Sequence, residues 1–424
     1  MKLKIDKNTL WIFVSTFLLK GTLDLAYYTI AARLGDYIRL VEINFDPVKY
    51  IESYALLAVV IVFLPKRYRR ISDMAVWLIF LLSYVPMLTL YAYMGKPRAY
   101  MYGVSLFWGI LLLVRAIFPL FSVRNINGTQ SRVVRIVFFF FLSLAVAALI
   151  FIYVGFSFNI DLNKVYDIRA EFVKINIPLS GYFINWFAYI VNPVFFAIFL
   201  KKKKWLAVLL ICFTEFIVFS ATGNKTYLFA LPFVLGLVWV LGRKNPLAWM
   251  AVGLVGFVLA GMLTFSISNN SWTYFLFTRR LMFVPAQLSF FYYDFFSQQQ
   301  PLLLAQHSLF KNIVQYPYEL DPPHLIADEY FGKPETNANN GIYADAYTNF
   351  HNAGFLIWGI ALAVILSFFD SFSAKKDKKT AFAALAMPSI MFIETFFMTA
   401  LVTHGVLFSL LLLYLLPNKE EEKI

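Results

Sequence analysis

Residues 205–242 read WLAVLLICFTEFIVFSATGNKTYLFALPFVLGLVWVLG, in which two apolar runs, 205–221 and 226–242, are joined by only four residues. Each run approaches the roughly 20 apolar residues that cross about 30 Å of membrane hydrocarbon. The short connection predicts two antiparallel transmembrane helices. Runs of the same kind fill most of the sequence, so this hairpin sets the pattern for the whole fold.

The apolar runs predict an all-α polytopic membrane protein of about 12 transmembrane helices that form a single integral membrane domain over residues 1–424. We expect the first helix to be retained, because no small-residue cleavage site follows its apolar run. A tight outer turn near Thr399 would separate the last two helices. The predicted segments are 9–31, 48–65, 71–94, 99–121, 133–154, 181–200, 205–221, 226–242, 246–267, 346–369, 380–398 and 400–417.

The composition excludes a soluble domain. Hydrophobic residues make up 60% of the chain and charged residues 14%, whereas soluble domains carry about 25% charged residues. The 47 Phe and 25 Tyr residues suit lipid contact and the membrane interface. Cys212 is the single cysteine, so the chain contains no internal disulfide.

The net charge of +13 is spread over short basic clusters between apolar runs, which indicates membrane orientation and not nucleic-acid binding. Such clusters mark the cytoplasmic side. We therefore expect both termini and residues 66–70, 201–204 and 375–379 to be cytoplasmic, with the long segment 268–345 outside as a large periplasmic or extracytoplasmic loop.

Two adjacent arginines, Arg279 and Arg280, lie in an aromatic run over residues 274–296. This run predicts a helix in the outer membrane interface. The planar guanidinium matches phosphate oxygens bidentately, so the pair could bind a lipid-linked pyrophosphate. Anchoring to lipid phosphates is the alternative. Lys225, in the turn between the two helices quoted first, could reach the same anion or be a plain surface lysine.

Several polar residues gather where segment 268–345 enters the next helix. Asp345, Asn349 and Asn352 follow i, i+4, i+7, and His351 lies beside that face. A carboxylate and an imidazole here could act as general base and orienting group, although helix capping explains Asp345 as well. His324 could line a sugar site or merely shape an exposed loop. No metal-ligand spacing or nucleotide-binding loop is present in the sequence.

Ionisable residues inside apolar segments are costly and raise functional hypotheses. Lys20 and Asp24 are four residues apart and can form an internal ion pair. Glu394 could form an interhelical hydrogen bond or take part in a proton relay. Arg115 is expected to extend to the cytoplasmic interface.

Three stretches resemble the Wzy-type polymerases of O-antigen and capsule repeat units. They are FSATGNKT at 219–226, RRLMFVPA at 279–286 and NGIYADAYTNFHNAG at 340–354. His351 stands where the pattern of the last stretch usually has glycine. Arg169, twelve positions before Gly181, only loosely matches an arginine–glycine motif of some members.

The resemblance implies a membrane glycosyltransferase similar to the GT-C class in the bacterial inner membrane. It would transfer a growing glycan from undecaprenyl diphosphate to a lipid-linked oligosaccharide repeat unit, without nucleotide, metal or other cofactor. Membrane lipids, a chain-length regulator and a flippase would be its partners. Alternatives are a flippase or transporter of the same lipids and an O-antigen ligase. We predict Asp345 and His351 as catalytic residues, and as substrate-binding residues Arg279, Arg280, Lys225, Arg169, Asn349 and His324.

Overall fold

The computed structural model describes residues 6–31, 43–123, 165–174, 179–269, 271–307 and 312–419, together with the isolated positions 142, 145, 146, 150, 152 and 310. Over these residues the regular secondary structure is helical throughout, without a strand. The helices are α1 (Lys7–Ala26), α2 (Pro47–Phe63), α3 (Ile71–Tyr93), α4 (Arg98–Ile117), α5 (Val165–Lys174), α6 (Ser180–Lys201), α7 (Trp205–Thr222), α8 (Lys225–Val240), α9 (Pro246–Ser268), α10 (Tyr274–Phe283), α11 (Val284–Phe296), α12 (Pro322–Phe331), α13 (Ile342–Phe350), α14 (Asn352–Ser373), α15 (Lys378–Glu394), α16 (Phe397–Val402) and α17 (Val406–Leu415).

Within the described ranges, eight helices or bent helix pairs are long and apolar enough to cross a membrane, as expected of a polytopic membrane protein. They are α1, α3, α4, α6, α7, α9, α14 and the pair α16–α17. Three other predicted segments form shorter helices, α2, α8 and α15, of 17, 16 and 17 residues. The predicted segment 133–154 lies almost wholly outside the described residues.

Two predicted boundaries near the end of the chain are wrong. The turn expected near Thr399 comes earlier, at residues 395–396, and Thr399 itself lies inside α16. The helix expected over 346–369 begins at Asn352, after a separate short helix, α13. Apolar composition alone did not reveal these breaks, because tertiary hydrogen bonds and backbone geometry set them.

Helix α3 is the centre of the bundle, and its apolar window is buried throughout. Beyond its polar first turn, this helix is largely apolar on every side, which suits such a fully enclosed position. Nearby, α4 and α14 pack closely at two glycines. A β-carbon at Gly103 would lie 2.3 Å from the ring of Phe355, and one at Gly359 would lie 3.2 Å from the Phe107 carbonyl oxygen.

One end of the bundle, here called the basic end, consists of the start of α1 and the turns 64–70, 201–204, 241–245 and 374–377. These segments were predicted to lie on one side of the membrane because each carries Lys or Arg. Polar contacts join them directly. The contacts are Asp6–Arg67 (3.4 Å), Asn8–Asn245 (3.2 Å), Lys201–Asp377 (3.1 Å), and Lys376 with the Leu416 carbonyl.

The opposite end, here called the loop end, holds the turns 94–97, 223–224 and 395–396 and the segment 297–341. The polar interval that follows α9 is largely structured and contains α10, α11 and α12. The aromatic run 274–296 is helical, as expected, and packs partly into the protein: Tyr100 of α4 and Ser289 of α11 share a hydrogen bond of 2.6 Å. Gly261 of α9 allows Tyr274 to approach, since a β-carbon there would lie 3.0 Å from the Tyr274 Cα.

In the described part of the N-terminal half, the buried Lys20, Asp24, Asp73 and Arg115 are all paired. Lys20 and Asp24 form the expected ion pair at 2.6 Å. Arg115 was expected to extend to the interface, but it is buried and contacts Asp73 at 2.5 Å and Asp370 at 3.8 Å. Burial of a charge is tolerated when opposite charges and hydrogen bonds surround it, so Arg115 joins α4 to α3 and α14.

Candidate functional site

The candidate site is centred on Glu394, the last residue of α15 at the loop end. The helix stops there because Thr395 and Phe396 adopt extended conformations. The next helix begins at Phe397, whose backbone N–H donates to the Asp345 carboxylate at 2.7 Å. The break leaves Glu394 half-buried, and the surrounding protein desolvates its carboxylate.

Two side chains from distant parts of the chain interact electrostatically with Glu394. The guanidinium of Arg280, on α10, interacts electrostatically with its carboxylate. Tyr189, on α6, lies near the same carboxylate on another helix. An acid, a cation and a phenol from three separate segments therefore influence one another electrostatically at the loop end.

Tyr189 is held by a polar and aromatic network. Its ring centroid lies 4.9 Å from that of Tyr227, and Asn224 donates to its hydroxyl at 3.4 Å. Tyr227 in turn donates to Asn185 at 2.7 Å. The ring of His404 lies 5.9 Å from Tyr189, and its buried Nδ1 finds no hydrogen-bond partner among the described residues. This network ties the turn between α7 and α8 to α6.

Two further predicted cations border this network. Lys225 follows Asn224 in the turn, and its Nζ lies 5.6 Å from the centroid of the Trp272 ring, just before α10. Arg169, exposed on α5, acts electrostatically on Tyr227. We use the name cationic cluster for three cations and the three residues around them. The cations are Arg280, Lys225 and Arg169, and the others are Glu394, Tyr189 and Tyr227.

The two adjacent arginines have different surroundings, as expected of neighbours on one helix. The Arg279 guanidinium is half-buried and lies 5.4 Å from the Phe275 ring. Burial lowers the pKa of Arg279 from its usual range. Arg280 is exposed. The helix that carries them is π-helical over ten residues, and π-helical turns are rare and frequent at functional sites.

Asp345 and Asn349 lie inside the protein, where both side chains are fully buried. Both Asp345 oxygens accept hydrogen bonds, one from Phe397 N and the other from Asn349 Nδ2 at 2.6 Å. The Asn349 side-chain oxygen accepts from Leu304 N at 2.8 Å. Burial raises the pKa of Asp345 to about 7. These contacts hold both side chains in place, and Asp345 fixes the break next to Glu394. The predicted catalytic role of Asp345 and substrate-binding role of Asn349 stay predictions.

The expected polar face around His351 does not form, because α13 ends at Phe350 and Asn352 opens a new helix. His351 has φ 48° and ψ −135°, and its ring centroid lies 5.1 Å from that of Tyr347. His351 Nε2 is buried and unpaired within the part of the chain described. His324 pairs with Asp321, which caps its own helix. The contacts of these two histidines lie outside the cationic cluster.

No protein-family model, curated protein or solved structure matches this chain. Over the described residues, no group of three or more His, Cys, Asp or Glu side chains could hold a metal ion. Sequence reasoning did not select Tyr189 or Tyr227, and it weighed Glu394 without placing it in the site. The available signal was an ionisable side chain within an apolar segment.

Proposed function

We propose that this chain is a membrane glycosyltransferase of the bacterial inner membrane that polymerises lipid-linked glycan repeat units. It transfers a growing glycan from undecaprenyl diphosphate onto a new lipid-linked oligosaccharide. The observation that carries the proposal is the electrostatic interaction of Arg280 with the half-buried Glu394 at one end of an apolar helix bundle. That end can receive a substrate with an anionic diphosphate and a long apolar chain.

In the proposed reaction, a hydroxyl oxygen of the acceptor sugar attacks the anomeric carbon of the donor glycan. The bond between that carbon and the diphosphate oxygen breaks, and its electron pair leaves with undecaprenyl diphosphate. Glu394 takes the hydroxyl proton as general base. Arg280 stabilises the negative charge that develops on the leaving diphosphate. No nucleotide is needed, because the diphosphate already activates the donor.

Glu394 suits the role of base better than Asp345 does. Asp345 is fully buried, and both of its oxygens accept hydrogen bonds within the protein. An acceptor hydroxyl would have to displace the cap of α16 to reach it. Glu394 is partly accessible and interacts electrostatically with the cation proposed to bind the diphosphate.

The other members of the cationic cluster fit the same substrate. Lys225 and Arg169 supply additional positive charge for the two phosphates. Trp272, which is 51% exposed, offers an aromatic face for a sugar ring. Tyr189 and Tyr227 are buried and support the turn that carries Lys225. Lysine and arginine are both common phosphate ligands, and arginine adds bidentate geometry.

The test compares the two adjacent arginines, each changed to Ala and to Lys. With purified protein and lipid-linked repeat units, but without ATP or nucleotide sugar, we expect Arg280→Ala to lower chain elongation about 10²-fold or more. Arg280→Lys is also expected to impair it, because lysine lacks the bidentate fork. Arg279→Lys, the matched control, is expected to stay near the unmodified rate. Polymer length is measured on a gel beside a blot for protein level.

Three results would contradict the proposal. Equal activity in the Arg279 and Arg280 variants would remove Arg280 from the site. Movement of the lipids across a bilayer without joining them would indicate a flippase or transporter. Transfer of a finished glycan to a different lipid acceptor, without lengthening, would indicate an O-antigen ligase.

A further inference from the structure

A groove of about 370 Å³ opens at the basic end, between α6, α8 and the start of α15. Its apolar lining includes Leu235 and Trp239, which are 44% and 52% exposed. Two basic residues, Arg243 and Lys379, complete it. The groove lies far along the helices from the cationic cluster, since α8 and α15 connect the two ends.

The two cations of the groove are held in defined positions. The Arg243 guanidinium lies 3.8 Å from the centroid of the Trp239 ring and 5.5 Å from that of Trp249. Cation–π contacts of this kind orient a guanidinium over its ring. Lys379 Nζ lies 3.6 Å from the position that a β-carbon at Gly242 would take. Both charges therefore meet at the turn between α8 and α9.

No carboxylate lines the groove among the described residues. The acidic residue close in sequence, Asp377, is engaged elsewhere: it pairs with Lys201 at 3.1 Å and caps Thr380 N at 3.1 Å. The groove thus combines a net positive rim with apolar walls. A ligand that complements it needs an anionic head and an apolar body.

We propose that this groove binds one anionic phospholipid, with its phosphate between Arg243 and Lys379 and an acyl chain along Leu235 and Trp239. Basic pockets between membrane helices bind anionic head groups in this manner. The exposed apolar walls favour a lipid over a soluble phosphate, which would leave them in water. This site is independent of the proposed glycan chemistry.

The test uses native mass spectrometry of the detergent-purified full chain with phosphatidylglycerol or phosphatidylcholine added. Arg243→Gln and Lys379→Gln are each expected to weaken phosphatidylglycerol binding about fivefold, as removal of one basic contact to an anionic lipid does. Lys244→Gln is the matched control, because Lys244 is adjacent and exposed but does not line the groove. Phosphatidylcholine binding is expected to be weak and the same in all four proteins.

Two results would overturn the proposal of a phospholipid site. If Lys244→Gln weakens binding as much as Arg243→Gln, the lipid is held by diffuse charge and not by the groove. If glycerol phosphate displaces phosphatidylglycerol at equal concentration, the site takes soluble phosphates. If one groove variant fails to fold, as its thermal unfolding would reveal, the other still decides between these outcomes.

Discussion

At the scale of single residues, His351 is the position where the chain turns from α13 into α14. Its φ of 48° and ψ of −135° lie in a region that residues other than glycine rarely adopt, at a cost of about 1–3 kcal/mol. The turn persists because α13 and α14 pack tightly on either side of it. A β-carbon at Gly354 would lie only 1.8 Å from the Ala346 carbonyl oxygen.

We predict that His351→Gly is more stable than His351→Ala by about 1 kcal/mol in free energy of unfolding, because glycine relieves the backbone strain. Both variants lose the ring contact with Tyr347, so their difference isolates the backbone. Thermal unfolding in detergent measures it. The same pair tests the predicted catalytic role: a general base would cost about 10²–10⁴ in rate in both variants, whereas a residue that only shapes the turn leaves His351→Gly active.

At the scale of elements, the short helix α13 supports the break between α15 and α16. Gly341, just before α13, lies against the end of α15: a β-carbon there would be 2.2 Å from the Ile393 carbonyl oxygen. Asp345 then caps α16 at Phe397. Together these contacts fix both sides of the break that presents Glu394.

We predict that Gly341→Ala destabilises the protein by about 1–3 kcal/mol, the usual cost of overpacking, and lowers chain elongation because Ile393 and Glu394 must shift. Gly253→Ala in α9 is the control, since no described atom lies within 4 Å of the added β-carbon. That change is expected to be neutral or to stabilise the helix by up to about 1 kcal/mol. Thermal unfolding and polymer length are measured together. If Gly341→Ala behaves as Gly253→Ala does, α13 does not position Glu394.

At the scale of the whole molecule, the two ends of the bundle differ in charge. The basic end gathers several Lys- and Arg-bearing turns, whereas the segment 297–341 at the loop end has more Asp and Glu than Lys and Arg. Basic turns remain on the cytoplasmic side of a membrane protein. This asymmetry supports an orientation with the loop end outside.

We predict that an impermeant maleimide labels Glu335→Cys in intact spheroplasts and labels Lys244→Cys only after lysis. Both positions are exposed, one in segment 297–341 and the other at the basic end. Cys212 is itself exposed, so both changes are made in a Cys212→Ser background. The reverse pattern of labelling would invert the orientation and place the cationic cluster in the cytoplasm.

The sequence alone determined those features that depend on near neighbours in the chain. Apolar length marked the helices that can cross a membrane, because lipid excludes unpaired backbone polar groups and a helix satisfies them internally. Basic clusters predicted turns that do lie together at one end. The Lys20–Asp24 pair followed from its i, i+4 spacing.

Only the tertiary structure decided which residues form the candidate site. Arg280, Tyr189 and Glu394 lie on three helices far apart in sequence, and no local period links them. The apolar pattern does not specify which helix faces pack together, since surfaces that face lipid and surfaces that face other helices are equally apolar. It therefore does not specify that these three residues interact. The sequence did not predict the helix breaks at His351 and Thr395, for a related reason. Close approach of backbones and a hydrogen bond from Phe397 to Asp345 set them, and both arise only when the helices pack.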